Sequence, residues 1–101
     1  MRNGMASNNS VTKHLKITGR VQGVSYRYWT QTTAQRMELS GWVRNLSNGS
    51  VEAVVKGEPE RVEDFIKHCH EGPPLAVVES VDVENIYGDE WFDGFKIKPT
   101  V

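Results

Sequence analysis

Ser47-Asn48-Gly49-Ser50 lies between two runs of alternating apolar residues, and that arrangement narrows what the surrounding chain can fold into. Asn-Gly between extended runs is what a tight hairpin turn with positive φ requires. Trp42, Val43 and Leu46 fit its first arm. Val51, Ala53 and Val55 fit the second, which stops at Gly57.

The rest of the chain arranges itself around that hairpin. Between Val11 and Thr18, Leu15 and Ile17 alternate with His14, Lys16 and Thr18, the period of a half-buried strand. Ser25 is placed to N-cap a helix whose apolar face carries Tyr26, Thr30, Ala34 and Met37, and which ends near Glu38 to Gly41. Glu58-Pro59-Glu60 opens a second helix, because proline costs little where the N–H has no intrahelical acceptor. Val62, Phe65, Ile66 and Cys69 form its packing stripe, and Gly72-Pro73-Pro74 stops it. Ala76 to Ile86 reads as a long strand with Val77, Val81 and Val83 on one side, and Phe95 to Lys98 as a short final strand. The order β-α-β-β-α-β specifies an α+β, ferredoxin-like split βαβ sandwich: an antiparallel sheet, both helices on one face, and a short extra C-terminal strand.

At 101 residues one core uses most of the chain. A single domain is expected over 11–101, with 1–10 as a flexible polar tail lacking the apolar centre of a signal peptide. No apolar run approaches the roughly 18 residues that would cross a bilayer. Cys69 is the one cysteine, so it forms no internal disulfide and points to a cytoplasmic setting. Its spacing puts it on an apolar helix face rather than in a thiol site. Net charge is −1 but unevenly spread: residues 1–45 hold seven Lys/Arg against Glu38, while 46–101 hold five against twelve acidic residues. A basic half suits a small anion; a nucleic-acid surface usually wants a basic domain overall.

That basic half contains Gly19-Arg20-Val21-Gln22-Gly23-Val24-Ser25-Tyr26-Arg27, a glycine loop between strand and helix. Such a loop gathers backbone N–H groups, including the first helical amides, which lack intrahelical acceptors and carry the positive end of the helix dipole. It can cradle a phosphate-sized anion. The plain alternative is a turn that needs glycine. Arg27 adds a guanidinium able to fork onto two phosphate oxygens. Neither GxGxxG nor a Lys-[Ser/Thr] after Gly23 is present, which sets aside the common nucleotide loops. Asn45, before the hairpin, is a neutral amide able to hold a water.

GRVQGVSYR, then GWVRN (41–45), NGSVEAVVKG and GPPLAVVESVDVE together resemble the acylphosphatase family from about Lys13 to Lys98. The resemblance implies an enzyme that hydrolyses carboxyl-phosphate anhydrides to a carboxylate and inorganic phosphate. By motif, the phosphate-binding arginine falls on Arg27 and the water-orienting asparagine on Asn45. The cradle amides fall on Arg20, Val21, Gln22, Gly23 and Val24. Tyr26 stands where the motif often has Phe. The chemistry is consistent with these residues: the carboxylate leaving group has a low pKa, and phosphoryl transfer needs mainly positioning and charge stabilisation. Direct attack by water is expected, with no phosphoenzyme, metal or cofactor, on a small acyl phosphate by a cytoplasmic monomer without membrane or nucleic-acid partners.

Other residues point elsewhere less strongly. His14, His68 and His70 lack ligand spacing. Glu58, Glu60, Glu63 and Asp64 favour the dipole of the second helix. Trp29, Trp42 and Trp91 suit packing better than base stacking. The same fold also serves binding modules. The RNA-recognition strand motif is absent, and one cysteine excludes a paired-thiol metal carrier. A non-catalytic acyl-phosphate sensor stays open, with Asn45 as the discriminating residue.

Overall fold

The computed structural model describes residues 9–101, so most of the expected tail lies outside the described residues. In chain order the elements are β1 (Val11–Arg20), α1 (Tyr26–Arg36), β2 (Ser40–Asn45), β3 (Val51–Gly57), α2 (Pro59–Glu71), β4 (Val77–Ile86) and β5 (Phe95–Ile97). The strands form one sheet in the order β4-β1-β3-β2-β5. All pairs are antiparallel except β5 with β2, which is parallel.

Alternation along the strands decides where the core sits. Leu15 and Ile17 of β1, Val43 of β2, and Val51, Ala53 and Val55 of β3 share one face and are fully buried. Against them pack Tyr26, Thr30 and Ala34 of α1, and Val62, Phe65 and Cys69 of α2. The two helices therefore cover one face of a ferredoxin-like α+β sandwich. Each large apolar side chain removed from water this way stabilises the fold by about 1.5–3 kcal/mol.

Differences from the sequence reading have local causes. The hairpin forms, but as a three-residue loop: Leu46 N–H donates to the Ser50 carbonyl (2.9 Å) and Gly49 N–H to the Leu46 carbonyl (3.1 Å). Leu46 therefore opens the turn, and β2 ends at Asn45. Of the Asn48-Gly49 pair, only Gly49 has positive φ (96°). Asn48 Oδ1 instead accepts from the N–H and Oγ–H of Ser50 (3.0 and 2.6 Å). Helix α1 closes earlier than expected, through Glu38 N–H to Gln35 O (3.1 Å) and Leu39 N–H to Ala34 O (2.9 Å). That is a Schellman closure, with Leu39 turned into the core.

The expected common face of Val77, Val81 and Val83 does not hold. Thr18 pairs with Ser80 but Gly19 with Val78, so Glu79 is an unpaired extra residue and the alternation slips by one. Val78 and Val81 pack on the core, whereas Val77 faces solvent. Val83, opposite Leu15 on an edge strand, stays 41% exposed.

Two contacts can be tested directly. Gly41 sits in β2 at φ 139°, and a Cβ there would overlap the Val54 carbonyl of the neighbouring strand. Gly41→Ala should cost about 3 kcal/mol by chemical denaturation, since strain and steric overlap combine. An unchanged midpoint would mean that β2 and β3 can separate without loss. The buried Tyr26 hydroxyl donates to the Cys69 carbonyl (2.6 Å), one of the last-turn carbonyls of α2 that lack a partner within the helix. Tyr26→Phe should therefore lower stability by about 1–2 kcal/mol in the same measurement, and no loss would show that α1 and α2 do not depend on this bond.

Candidate active site

The site follows from strand direction. Strands β1 and β2 are each antiparallel to β3, so they run the same way, and β5 runs parallel to β2. The loop after β1, Asn45 at the end of β2 and Ile97 at the end of β5 are thus delivered to one edge of the sheet. There they line a cleft of about 440 Å³, together with Arg27 and Tyr28 from the first turn of α1.

Residues 21–25 are held at both ends. Val21 and Val24 are buried in the core, at 1% and 6% exposure, so the backbone between them is presented outward. Gln22 and exposed Gly23 line the cleft, and a Cβ built on Gly23 would meet nothing within 4 Å. Gln22 Nε2 donates to the carbonyls of both Leu46 and Ser50, at 2.8 Å each, tying the loop to the β2–β3 turn. Arg20, included in the expected cradle, ends β1 opposite Val77 and does not line the cleft. The Val24 side chain serves the core.

Ser25 occupies the N-cap position but does not cap. It adopts left-handed backbone angles (φ 67°, ψ 25°), and its side chain makes no cap hydrogen bond. Side-chain capping accompanies extended backbone angles, and Ser25 lacks them. The first turn contains no acidic residue, and Arg27 lies within it. A helix N-terminus already carries partial positive charge, and Arg27 adds a full one. Among the described residues no carboxylate pairs with Arg27. On the other wall Asn45 is half-buried, and its Oδ1 is buried without a hydrogen-bond partner. Arg27, a cation without a carboxylate partner, and Asn45, a neutral amide, thus line the same cleft.

The other conspicuous residues lie apart. His14 Nε2–H donates to Glu52 Oε2 (2.7 Å) and Arg44 Nε–H to Glu52 Oε1 (2.8 Å), on the sheet face away from the helices. Partial burial resists ionisation of Glu52, but these two donors outweigh it and hold its carboxyl below the usual range. Trp42 lies on that face too, with the Arg44 guanidinium 4.7 Å and Lys98 Nζ 4.5 Å from its ring centroid. Trp29 packs against Tyr26, whereas Trp91 is largely exposed. His68 and His70 are exposed near the end of α2. Cys69 is fully buried, and burial pushes its thiol up to about 12, so it stays protonated. Among the described residues no three His, Cys, Asp or Glu side chains gather as a metal site, and no helix is long and apolar enough to cross a membrane. A larger cavity of about 840 Å³ lies at the opposite end of β1, where Lys13 and Lys56 are already bonded to Asn85 Oδ1 and the Glu90 carbonyl.

Sequence reasoning did not single out the Gln22 side chain, Tyr28 or Ile97 as site residues. Ile97 depends on the parallel pairing of β5, which no local pattern reveals. Tyr28 had one available signal, its place beside Arg27.

Comparison with known proteins agrees with this geometry. A family model described as Acylphosphatase matches residues 13–97. An acylphosphatase of Nostoc sp. is 47% identical over 102 aligned residues, covering 100% of this chain and 99% of that protein. One from Thermococcus kodakarensis is 49% identical, covering 86% and 94% of the two chains. The solved structure of an acylphosphatase from Coxiella burnetii superposes with a TM-score of 0.87 at 33% identity, covering 95% of this chain and 100% of that one. With a family model spanning residues 13–97, relatives near half identical over the chain and the fold superposed, the chain belongs to the acylphosphatase family.

Proposed function

We propose that this acylphosphatase binds the phosphoryl group of a small acyl phosphate between the backbone amides of Val21, Gln22, Gly23 and Val24 and the Arg27 guanidinium. Asn45 then orients a water for in-line attack on phosphorus. The observation that carries this reading is that one cleft is lined by the glycine loop, by Arg27 without a carboxylate partner, and by Asn45.

The division of labour follows from the groups present. Amides and a guanidinium stabilise charge spread over the equatorial phosphoryl oxygens. Asn45 is too weak a base to take a proton outright, so its carboxamide only orients the water by hydrogen bonding, and the substrate phosphate takes the proton. The departing carboxylate is a weak base and leaves without a general acid. Direct hydrolysis, with neither phosphoenzyme nor metal, fits this set of groups. The lone buried Cys69 suits a reducing cytoplasm, where the enzyme would act as a monomer.

Hydrolysis of benzoyl phosphate tests the reading. Arg27→Ala and Asn45→Ala should each lower kcat/KM by roughly 100- to 1,000-fold, the usual size of losing one such donor. Asn45→Ala should still bind inorganic phosphate, because the cradle is intact. Wild type that releases no phosphate above background would leave a sensor rather than an enzyme. Inorganic phosphate should inhibit competitively and EDTA should leave turnover unchanged; non-competitive inhibition or loss with EDTA would contradict the site.

A further inference from the structure

We propose that the side chain of Gln22 is a positioning residue, which sets the distance between the phosphate loop and Asn45 and thereby places the attacking water. This rests on the reading of Asn45 as the group that orients that water. Gln22 contributes a backbone amide to one half of the site, while its carboxamide reaches across to the other half. Nε2 spends both hydrogens there, on Leu46 O and on Ser50 O, each at 2.8 Å. Leu46 follows Asn45 directly, and Leu46 and Ser50 close the turn that ends β2. One planar group therefore fixes the loop against the residue next to Asn45, and few side chains offer two hydrogens from a single neutral atom.

The hydrogen-bond pattern separates positioning from folding. Both carbonyls have a second donor: Leu46 O accepts from Gly49 N–H (3.1 Å), and Ser50 O from Leu46 N–H (2.9 Å). Removing the Gln22 carboxamide strands neither acceptor, so the turn keeps its shape. What is lost is the tie between two walls of a cleft. The phosphate loop itself stays anchored by buried Val21 and Val24. The anion should bind as before while the water sits wrongly.

Gln22→Met, nearly the same shape without donors, and Gln22→Glu, which sets a carboxylate against two carbonyl oxygens, are compared with wild type and Asn45→Ala. The readouts are kcat for benzoyl phosphate, the inhibition constant of inorganic phosphate, and the thermal midpoint. Gln22→Met should lower kcat roughly 10- to 100-fold, as displacements of about 1 Å do elsewhere. Its phosphate inhibition constant should stay within about twofold, since cradle amides and Arg27 are untouched. Gln22→Glu should lose more at neutral pH and regain activity relative to wild type as acid protonates the new carboxyl. Three results would overturn the proposal while Asn45→Ala remains impaired: an unchanged kcat in Gln22→Met, a phosphate constant that worsens in step with kcat, or a fall in midpoint large enough to unfold the variant at the assay temperature. An unimpaired Asn45→Ala would instead overturn the underlying reading, and this proposal with it.

Discussion

The direction of three strands decides where chemistry can happen. Because β1 and β2 both oppose β3, and β5 follows β2, their carboxyl ends share one edge of the sheet. The glycine loop that continues β1 and the amide that ends β2 then meet without any long connection. Residues beyond β5 strengthen this edge: Val101 N–H donates to the Asn45 carbonyl (3.3 Å), and Ser47 N–H to the Val101 carbonyl (2.8 Å). Had β1 and β2 run oppositely, Arg27 and Asn45 would lie a strand length apart, roughly 20 Å.

The site concentrates groups that folding alone would leave paired. An uncapped helix start with an arginine in its first turn has no structural advantage, since cations are disfavoured there. A buried Asn45 oxygen without a donor is likewise costly. The rest of the fold offsets both. Tyr26, one residue before Arg27, caps the last turn of α2 through its hydroxyl, which fixes where α1 begins. Burial and the neighbouring Cys69 raise the pKa of that hydroxyl, so it remains a donor throughout the ordinary pH range. The motif position often held by Phe here gains a hydrogen bond between the helices.

Much of this was legible in the residues. Alternation in β1 and β3, the stripe on α2 and Asn48-Gly49 are local signals, and they gave the element order. Arg27 and Asn45 were legible through the combined motifs, and the structure brings both to one cleft. Three features were not legible, each because it depends on contacts far along the chain. The β4 bulge arises in pairing with Gly19, so counting alternate valines misplaced Val77. Ser25 has the composition of a cap but takes its backbone angles from the loop before it. The bonds from Gln22 to Leu46 and Ser50 span 24 and 28 residues, beyond any helical or strand period.

The most direct test of water placed on phosphorus is the fate of solvent oxygen. Benzoyl phosphate would be hydrolysed by the enzyme in ¹⁸O-water, and both products examined by mass spectrometry. Attack guided by Asn45 onto a phosphoryl group held in the loop puts the label in inorganic phosphate and none in benzoate. Label in benzoate would mean attack at the carbonyl carbon, and the assignment of loop, Arg27 and Asn45 to a phosphoryl-transfer site would be wrong.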